Sequence, residues 1–186
     1  MPSANEVKAG QTLELPGGLY QIVDHSHTKP GKGKAFVKMK LKSIDGGGMI
    51  EKTFRPDESV KRAIIDRREH QFLYRDEFGF HFMDSETFAQ LEIPSDRVGA
   101  ASDYLSEGVE VLLPMYDGRP ISVDLAASVE LRVTHAEPGV KGDRVSGATK
   151  PVTLETGLVI QVPLFVDVGD VLKVDTRTAE YQTRVT

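Results

Sequence analysis

The segment Ala35-Phe-Val-Lys-Met-Lys-Leu-Lys42 alternates apolar and cationic side chains at period two. A β-strand, whose successive side chains point to opposite faces, puts Val37, Met39 and Leu41 on one side and Lys38, Lys40 and Lys42 on the other. Shorter runs of the same kind recur. Val129-Glu-Leu-Arg-Val133 alternates, Gly17–Val23 reads as a turn into a strand, and residues 49–54, 71–74, 109–115, 121–125, 158–162, 171–174 and 181–185 read as further strands. Turn signals separate them at Asp45–Gly48, Asp76–Gly79, Asp117-Gly118 and Val168–Asp170. Asp117-Gly118, lying between two apolar runs, predicts a tight hairpin. Helix is confined to Ser95–Leu105, with Ser95 as its cap and Val98, Ala101 and Leu105 on one face, plus one turn over Asp84–Gln90. Many short strands with frequent turns predict an all-β chain built from sandwiches or barrels.

Length alone, at 186 residues, allows one or two domains. The stretch Thr134–Pro151 changes that expectation. It is rich in Gly and Pro, nearly free of large apolar residues, and too long to sit as a structureless loop inside one compact barrel. Composition shifts near residues 64 and 126 divide the chain into 1–64, 65–126 and 127–186. Each is about 62 residues, a size that folds alone, and a closed barrel suits it because closure removes sheet edges.

The charge is segregated in the same way. The net of −5 resolves into +4 for residues 1–64 (11 Lys/Arg, 7 Asp/Glu), −8 for 65–126 (5 against 13) and −1 for 127–186 (7 against 8). Lys29, Lys32, Lys34, Lys38, Lys40 and Lys42 have no acid among them. Such a cluster attracts phosphate whatever distant carboxylates do, because salt screens charges beyond about 8–10 Å. The same lysines also suit a solvated strand guarded against edge-to-edge pairing.

Several chemistries are excluded or poorly served. With no Cys there is no disulfide, thiolate zinc, cysteine-ligated iron–sulfur cluster or Cys nucleophile. The first ten residues lack the apolar centre of a secretory signal. Gly157–Val168 is shorter than the roughly 20 residues of a membrane span and carries Gln161, Pro163 and Asp167, so no membrane role is expected. His25 and His27 share a strand face, but no third ligand stands at convincing spacing, and no metal site is expected. Ser146 lacks the Gly-x-Ser-x-Gly spacing of a nucleophile elbow, since Arg144 and Ala148 stand where the glycines would be. No nucleophile–base pair emerges, so the chain does not read as an enzyme.

Lys29-Pro-Gly-Lys-Gly-Lys34 lies between two strands and reads as a hairpin tip. Pro30 fixes one φ, while Gly31 and Gly33 flank Lys32 without side chains of their own. Lys32 then projects alone from a basic ribbon, as suits a probe for a narrow anionic site or a lysine offered to a modifying enzyme. The spacing is not that of a phosphate-binding P-loop, and the loop leads into a strand rather than a helix.

Lys29-Pro-Gly-Lys-Gly-Lys-Ala-Phe-Val37 closely resembles the loop of the bacterial elongation factor P family, as does Glu51-Lys-Thr-Phe-Arg55. Phe72-Leu-Tyr74, His81-Phe-Met-Asp84 and Glu86-Thr-Phe88 continue the resemblance. So do Glu137-Pro-Gly-Val-Lys-Gly-Asp143, Thr149-Lys-Pro151, Thr153-Leu-Glu-Thr-Gly157, Gln161-Val-Pro-Leu-Phe165 and Gly169–Arg177. It covers nearly the whole chain. Two departures stand out: Lys34, where many lysine-modified members are uncharged, and the opening and Gly157–Pro163 segments, which look more like the elongation factor P-like paralogue.

The resemblance implies three β-barrel domains, a KOW/SH3-like barrel (1–64) and two OB-folds (65–126 and 127–186), in an L-shaped, tRNA-like arrangement. It implies a monomeric cytoplasmic factor, without cofactor or catalytic residues, bound to both ribosomal subunits beside the peptidyl-tRNA and relieving stalls at consecutive prolines. Lys32 would reach the peptidyl-transferase centre and be extended by a lysine-modifying enzyme. Lys29, Lys34, Lys38, Lys40 and Lys42 would hold phosphates. Lys141, Arg144 and Lys150 would face tRNA or the small subunit, or else tie barrels together. The rival expectation is a general OB-fold binder of single-stranded RNA, which would stack bases on exposed aromatics. Tyr74, Phe78 and Phe80 are the cluster to watch for that, or else part of the core.

Overall fold

The computed structural model describes residues 1–139 and 147–185. The first five strands are β1 (Thr12–Leu15), β2 (Gly18–Thr28), β3 (Phe36–Ser43), β4 (Met49–Phe54) and β5 (Lys61–Ala63). They form one antiparallel sheet in the order β4-β3-β2-β1-β5. Alternation in β3 dictates its placement. Val37, Met39 and Leu41 are completely buried while Lys38, Lys40 and Lys42 are exposed. The buried set packs with Ala4, Val7, Leu13, Ile22, Phe54 and Val60 into one core. Each large apolar side chain so buried contributes about 1.5–3 kcal/mol over its exposed state.

The next strands are β6 (Asp66–Arg75), β7 (Phe80–Asp84), β8 (Gln90–Ile93), β9 (Glu110–Tyr116), β10 (Arg119–Pro120) and β11 (Asp124–Leu125). β9, β6, β7 and β8 are neighbours in that order, and β11 also pairs with β9. Phe72 meets Phe80 and Phe82 at ring-centroid distances of 5.7 and 5.5 Å in the core of this sheet. Gly79 is required at its turn, because a Cβ there would stand 2.4 Å from the Ile93 carbonyl oxygen. β9 and β10 join through Asp117 and Gly118, both at positive φ (50° and 74°), the two-residue hairpin that the dipeptide predicts.

The last strands are β12 (Ser128–Ala136), β13 (Thr149–Leu154), β14 (Val159–Pro163), β15 (Val171–Asp175) and β16 (Tyr181–Arg184), in the order β14-β13-β12-β15-β16. Their core holds Leu131, Val133, Val152, Leu154, Val162, Leu172 and Val174, joined by Tyr104.

By compactness the chain divides into two units. One is Met1–Asp66 with Pro114–Ile121, the other Arg67–Leu113 with Ser122–Thr186.

Several local expectations change. The helix is only α1 (Ser95–Val98), and a 3₁₀ turn (Gly99–Tyr104) follows it. Ser95 is not the cap: Pro94 holds that position and no side chain caps the end. Gly99, at φ 57°, breaks the helix, although Val98 and Leu105 are buried as the apolar face requires. The turn after Asp84 is built by its carboxylate, which accepts the Glu86 and Thr87 N–H groups at 2.8 and 2.9 Å. The expected strand 121–125 shrinks to Asp124–Leu125. Part of Thr134–Pro151 is ordered into sheet: β12 runs on to Ala136, β13 starts at Thr149, and Ala136 pairs with Val152.

Candidate functional site

The lysine hairpin is the arm formed by β2 and β3. Their register runs to a last pair, Thr28 with Phe36, leaving residues 29–35 as the connection. β4 supports the β3 side as far as Val37, opposite Phe54. On the other side β1 pairs only with Gly18–Gln21, so the upper part of β2 has no strand beyond it.

Lys29, Lys32 and Lys34 are exposed, and among the described residues none of them makes a hydrogen bond or ion pair. The stem differs from the tip. Lys38 Nζ lies 2.7 Å from Glu51 Oε1, and Lys40 stands in register between Asp24 on β2 and Glu51 on β4. Strand pairing thus brings acids beside Lys38 and Lys40 on a strand that has none in its own sequence, whereas Lys29, Lys32 and Lys34 lie beyond the last strand pair.

The two loop glycines are not equivalent. Gly33 has φ 138°, which L side chains rarely adopt. Gly31 has no such constraint, and a Cβ there would meet open space. Pro30 is half-buried, next to Gly33.

His25 and His27 do share a face, and what they meet is the N-terminal segment. His25 Nε2 donates to the Ala4 carbonyl at 3.0 Å, and His27 Nδ1 lies 2.9 Å from Asn5 Oδ1. Among the described residues, no group of three or more His, Cys, Asp or Glu is arranged to hold a metal ion.

The aromatic trio separates. Phe80 is core at 2% exposure, whereas Tyr74 and Phe78 are 51% and 66% exposed. Tyr74 stacks on His81 (4.4 Å, 18°), and His81 Nε2 lies 2.8 Å from Asp76 Oδ2. Burial pushes the Asp76 carboxyl up, but hydrogen bonds from His81 and from the Phe78 and Gly79 N–H groups outweigh it and hold the net below the usual range.

Lys141 and Arg144 lie outside the described residues. Lys150 is turned inward: its buried ammonium donates to the Glu137 carbonyl at 3.0 Å and sits 3.7 Å from Asp167 Oδ1. It carries a structural contact rather than an exposed charge. Local reading missed Asn5 and the Glu14–Tyr116 hydrogen bond, because each partner lies far away in sequence and no motif links them.

Three β-sheets, the first of which carries a basic hairpin, define the class: an all-β protein of small barrel-like sheets. Family models match three consecutive stretches, the elongation factor P KOW-like domain at residues 3–60, its OB domain at 65–123 and the elongation factor P C-terminal domain at 129–184. Elongation factor P of Symbiobacterium thermophilum is 51% identical over 99% of this chain and all of its own length. That of Mycolicibacterium smegmatis is 49% identical over the whole of this chain and 99% of its own. Among solved structures, the eukaryotic translation initiation factor 5A from Methanococcus jannaschii is similar, with a TM-score of 0.53 and 30% identity over 63% of this chain and 87% of that one. The chain belongs to the elongation factor P family.

No helix among the described residues is long and apolar enough to cross a membrane.

Proposed function

We propose that the protein is a translation elongation factor that binds the ribosome beside the peptidyl-tRNA and promotes peptide-bond formation where consecutive prolines stall it. The observation that carries this reading is the concentration of unpaired charge on Lys29, Lys32 and Lys34, beyond the last pair of the β2–β3 hairpin. Proline is a constrained participant in peptide transfer, and the ribosome already holds the groups that do the chemistry. What a protein can add is orientation, which lowers barriers by about 7–11 kcal/mol in well-aligned systems. Lys32 lies along the acceptor end of the tRNA and restricts its motion, and a modifying enzyme extends its side chain. Lys29, Lys34, Lys38, Lys40 and Lys42 contact phosphates, which positions the factor without reading sequence. The same factor then serves any peptidyl-tRNA.

The three domains of this reading are 1–64, 65–126 and 127–186, and the three family matches support that division. Lys141 and Arg144 contact tRNA or the small subunit. No side chain in this account performs acid–base or covalent chemistry. The names of the relatives support the translational role.

The test is synthesis of Pro-Pro-Pro reporters in cells that rely on this protein alone. Lys32→Ala is expected to restore stalling at those codons and spare reporters without them. Full synthesis with Lys32→Ala would sink the tip mechanism.

A further inference from the structure

From the contacts of the N-terminal segment we infer that Asn5 and His27, with His25 beneath them, form a latch that sets the direction of the lysine hairpin. This rests on the function proposed above and adds positioning residues to it.

β2 has eleven residues, but β1 covers only Gly18–Gln21 at its lower end. Above that, the free edge of β2 is met by residues from the start of the chain. Ala4 is fully buried and anchored, its N–H donating to the Glu58 carbonyl at 2.8 Å. Asn5 N–H donates to the Pro56 carbonyl at 3.2 Å, and Ser3 bridges to Ser59. The segment is also tied to itself, since Glu6 Oε2 accepts the Ser3 N–H at 2.7 Å and the Ser3 hydroxyl at 2.9 Å. This anchored segment then touches the arm at two points on one face: the Ala4 carbonyl at His25 and the Asn5 side chain at His27.

His27 opposes Val37, one pair below the end of the stem. It is therefore among the last places where the body of the protein can hold the arm. The arm acts as a lever, so a small tilt at His25 and His27 becomes a larger displacement at Lys32. Misplacing a reacting group by about 1 Å can cost about a hundredfold in rate. Asn5 and His27 are both exposed, so their contact adds little to fold stability and its value lies in direction.

The test is rate against factor concentration in Pro-Pro-Pro synthesis on purified ribosomes, with every variant matched for the state of Lys32 by intact mass. Asn5→Ala and His27→Phe are each expected to lower the maximal rate about tenfold. The half-saturating concentration and the melting temperature should stay unchanged. Asn5→Asp keeps an acceptor for the His27 ring and should retain the rate. The double variant should be no slower than either single one, since both remove the same contact. Singles at full rate, or losses that multiply in the double variant, would overturn the latch. Lys32→Ala separates the two proposals. If it is slow while the latch variants run at full rate, the latch alone fails; if it runs at full rate, the tip mechanism fails and takes the latch with it.

Discussion

The Tyr116 hydroxyl donates to Glu14 Oε2 at 2.6 Å, joining positions 102 residues apart. Lys61 Nζ stands 2.5 Å from the same oxygen. One carboxylate thus ties the β9–β10 hairpin to the sheet that carries the lysine arm, inside one compact unit.

This cluster makes stability depend on pH at both ends. Hydrogen bonding to Lys61, then to Tyr116, holds Glu14 below the usual carboxylate range. A lowered pKa stabilises the fold above the unfolded value, about 4.3 for Glu, and that contribution is lost as pH falls through the folded value. Glu14 in turn raises both Tyr116 and Lys61. Their contributions are present below their ordinary values, near pH 10, and are lost as pH climbs through the raised ones. Tyr116→Phe should therefore melt below the parent by the widest margin between about pH 5 and 10. The margin should narrow at either extreme. Thermal melts across pH check this, and a constant offset would contradict it.

The two faces of β3 can be separated by mutation. Leu41 is fully buried, so Leu41→Ala should cost about 2–5 kcal/mol through lost burial and the cavity left behind. Lys42→Ala on the opposite face should change stability by less than about 0.5 kcal/mol. Urea denaturation of the two variants measures the contrast.

That contrast also marks what could be read without coordinates. Val37, Met39 and Leu41 were legible because period-two burial is a local property, and Asp117-Gly118 because positive φ at both positions needs those residue types. The connection at residues 29–35 between β2 and β3 was legible for the same reason. Pairings between distant strands were not. Glu51 reaches Lys38 only after β4 docks on β3, and Asn5 reaches His27 only after the chain's start returns to β2. For Lys150 the sequence left an RNA contact and a structural tie both open, because it does not report that the ammonium donates to the Glu137 carbonyl. β13 escaped notice because a Gly/Pro-rich stretch with few large apolar residues runs straight into it.

Glycine replacements test turn geometry. Gly79→Ala places a Cβ against the Ile93 carbonyl, with backbone on both sides of the contact, and should destabilise the second sheet strongly. Gly33→Ala should cost about 1–2 kcal/mol in loop conformation, given its φ of 138°. Gly31→Ala meets open space and should leave stability unchanged. Melting temperatures of the three should rank Gly79→Ala lowest and Gly31→Ala at the parent value. Gly31→Ala as the least stable of the three would contradict the loop geometry.

Salt dependence distinguishes lysines that hold phosphate from lysines that hold protein. Each phosphate contact contributes about 0.7–0.9 to the slope of log affinity against log salt concentration. Lys29→Ala and Lys34→Ala remove exposed, unpaired cations at the tip, so each should flatten the slope for ribosome binding by about that amount. Their fold stability should not change. Lys150→Met should do the reverse. Its ammonium is buried against Glu137 and Asp167, and losing its hydrogen bond to the Glu137 carbonyl should cost about 0.5–1.5 kcal/mol. The salt slope of that variant should equal the parent's. Binding titrations at several potassium concentrations, paired with urea melts, give both numbers for each variant. A flattened slope with unchanged stability for Lys150→Met would return that residue to the RNA-binding surface.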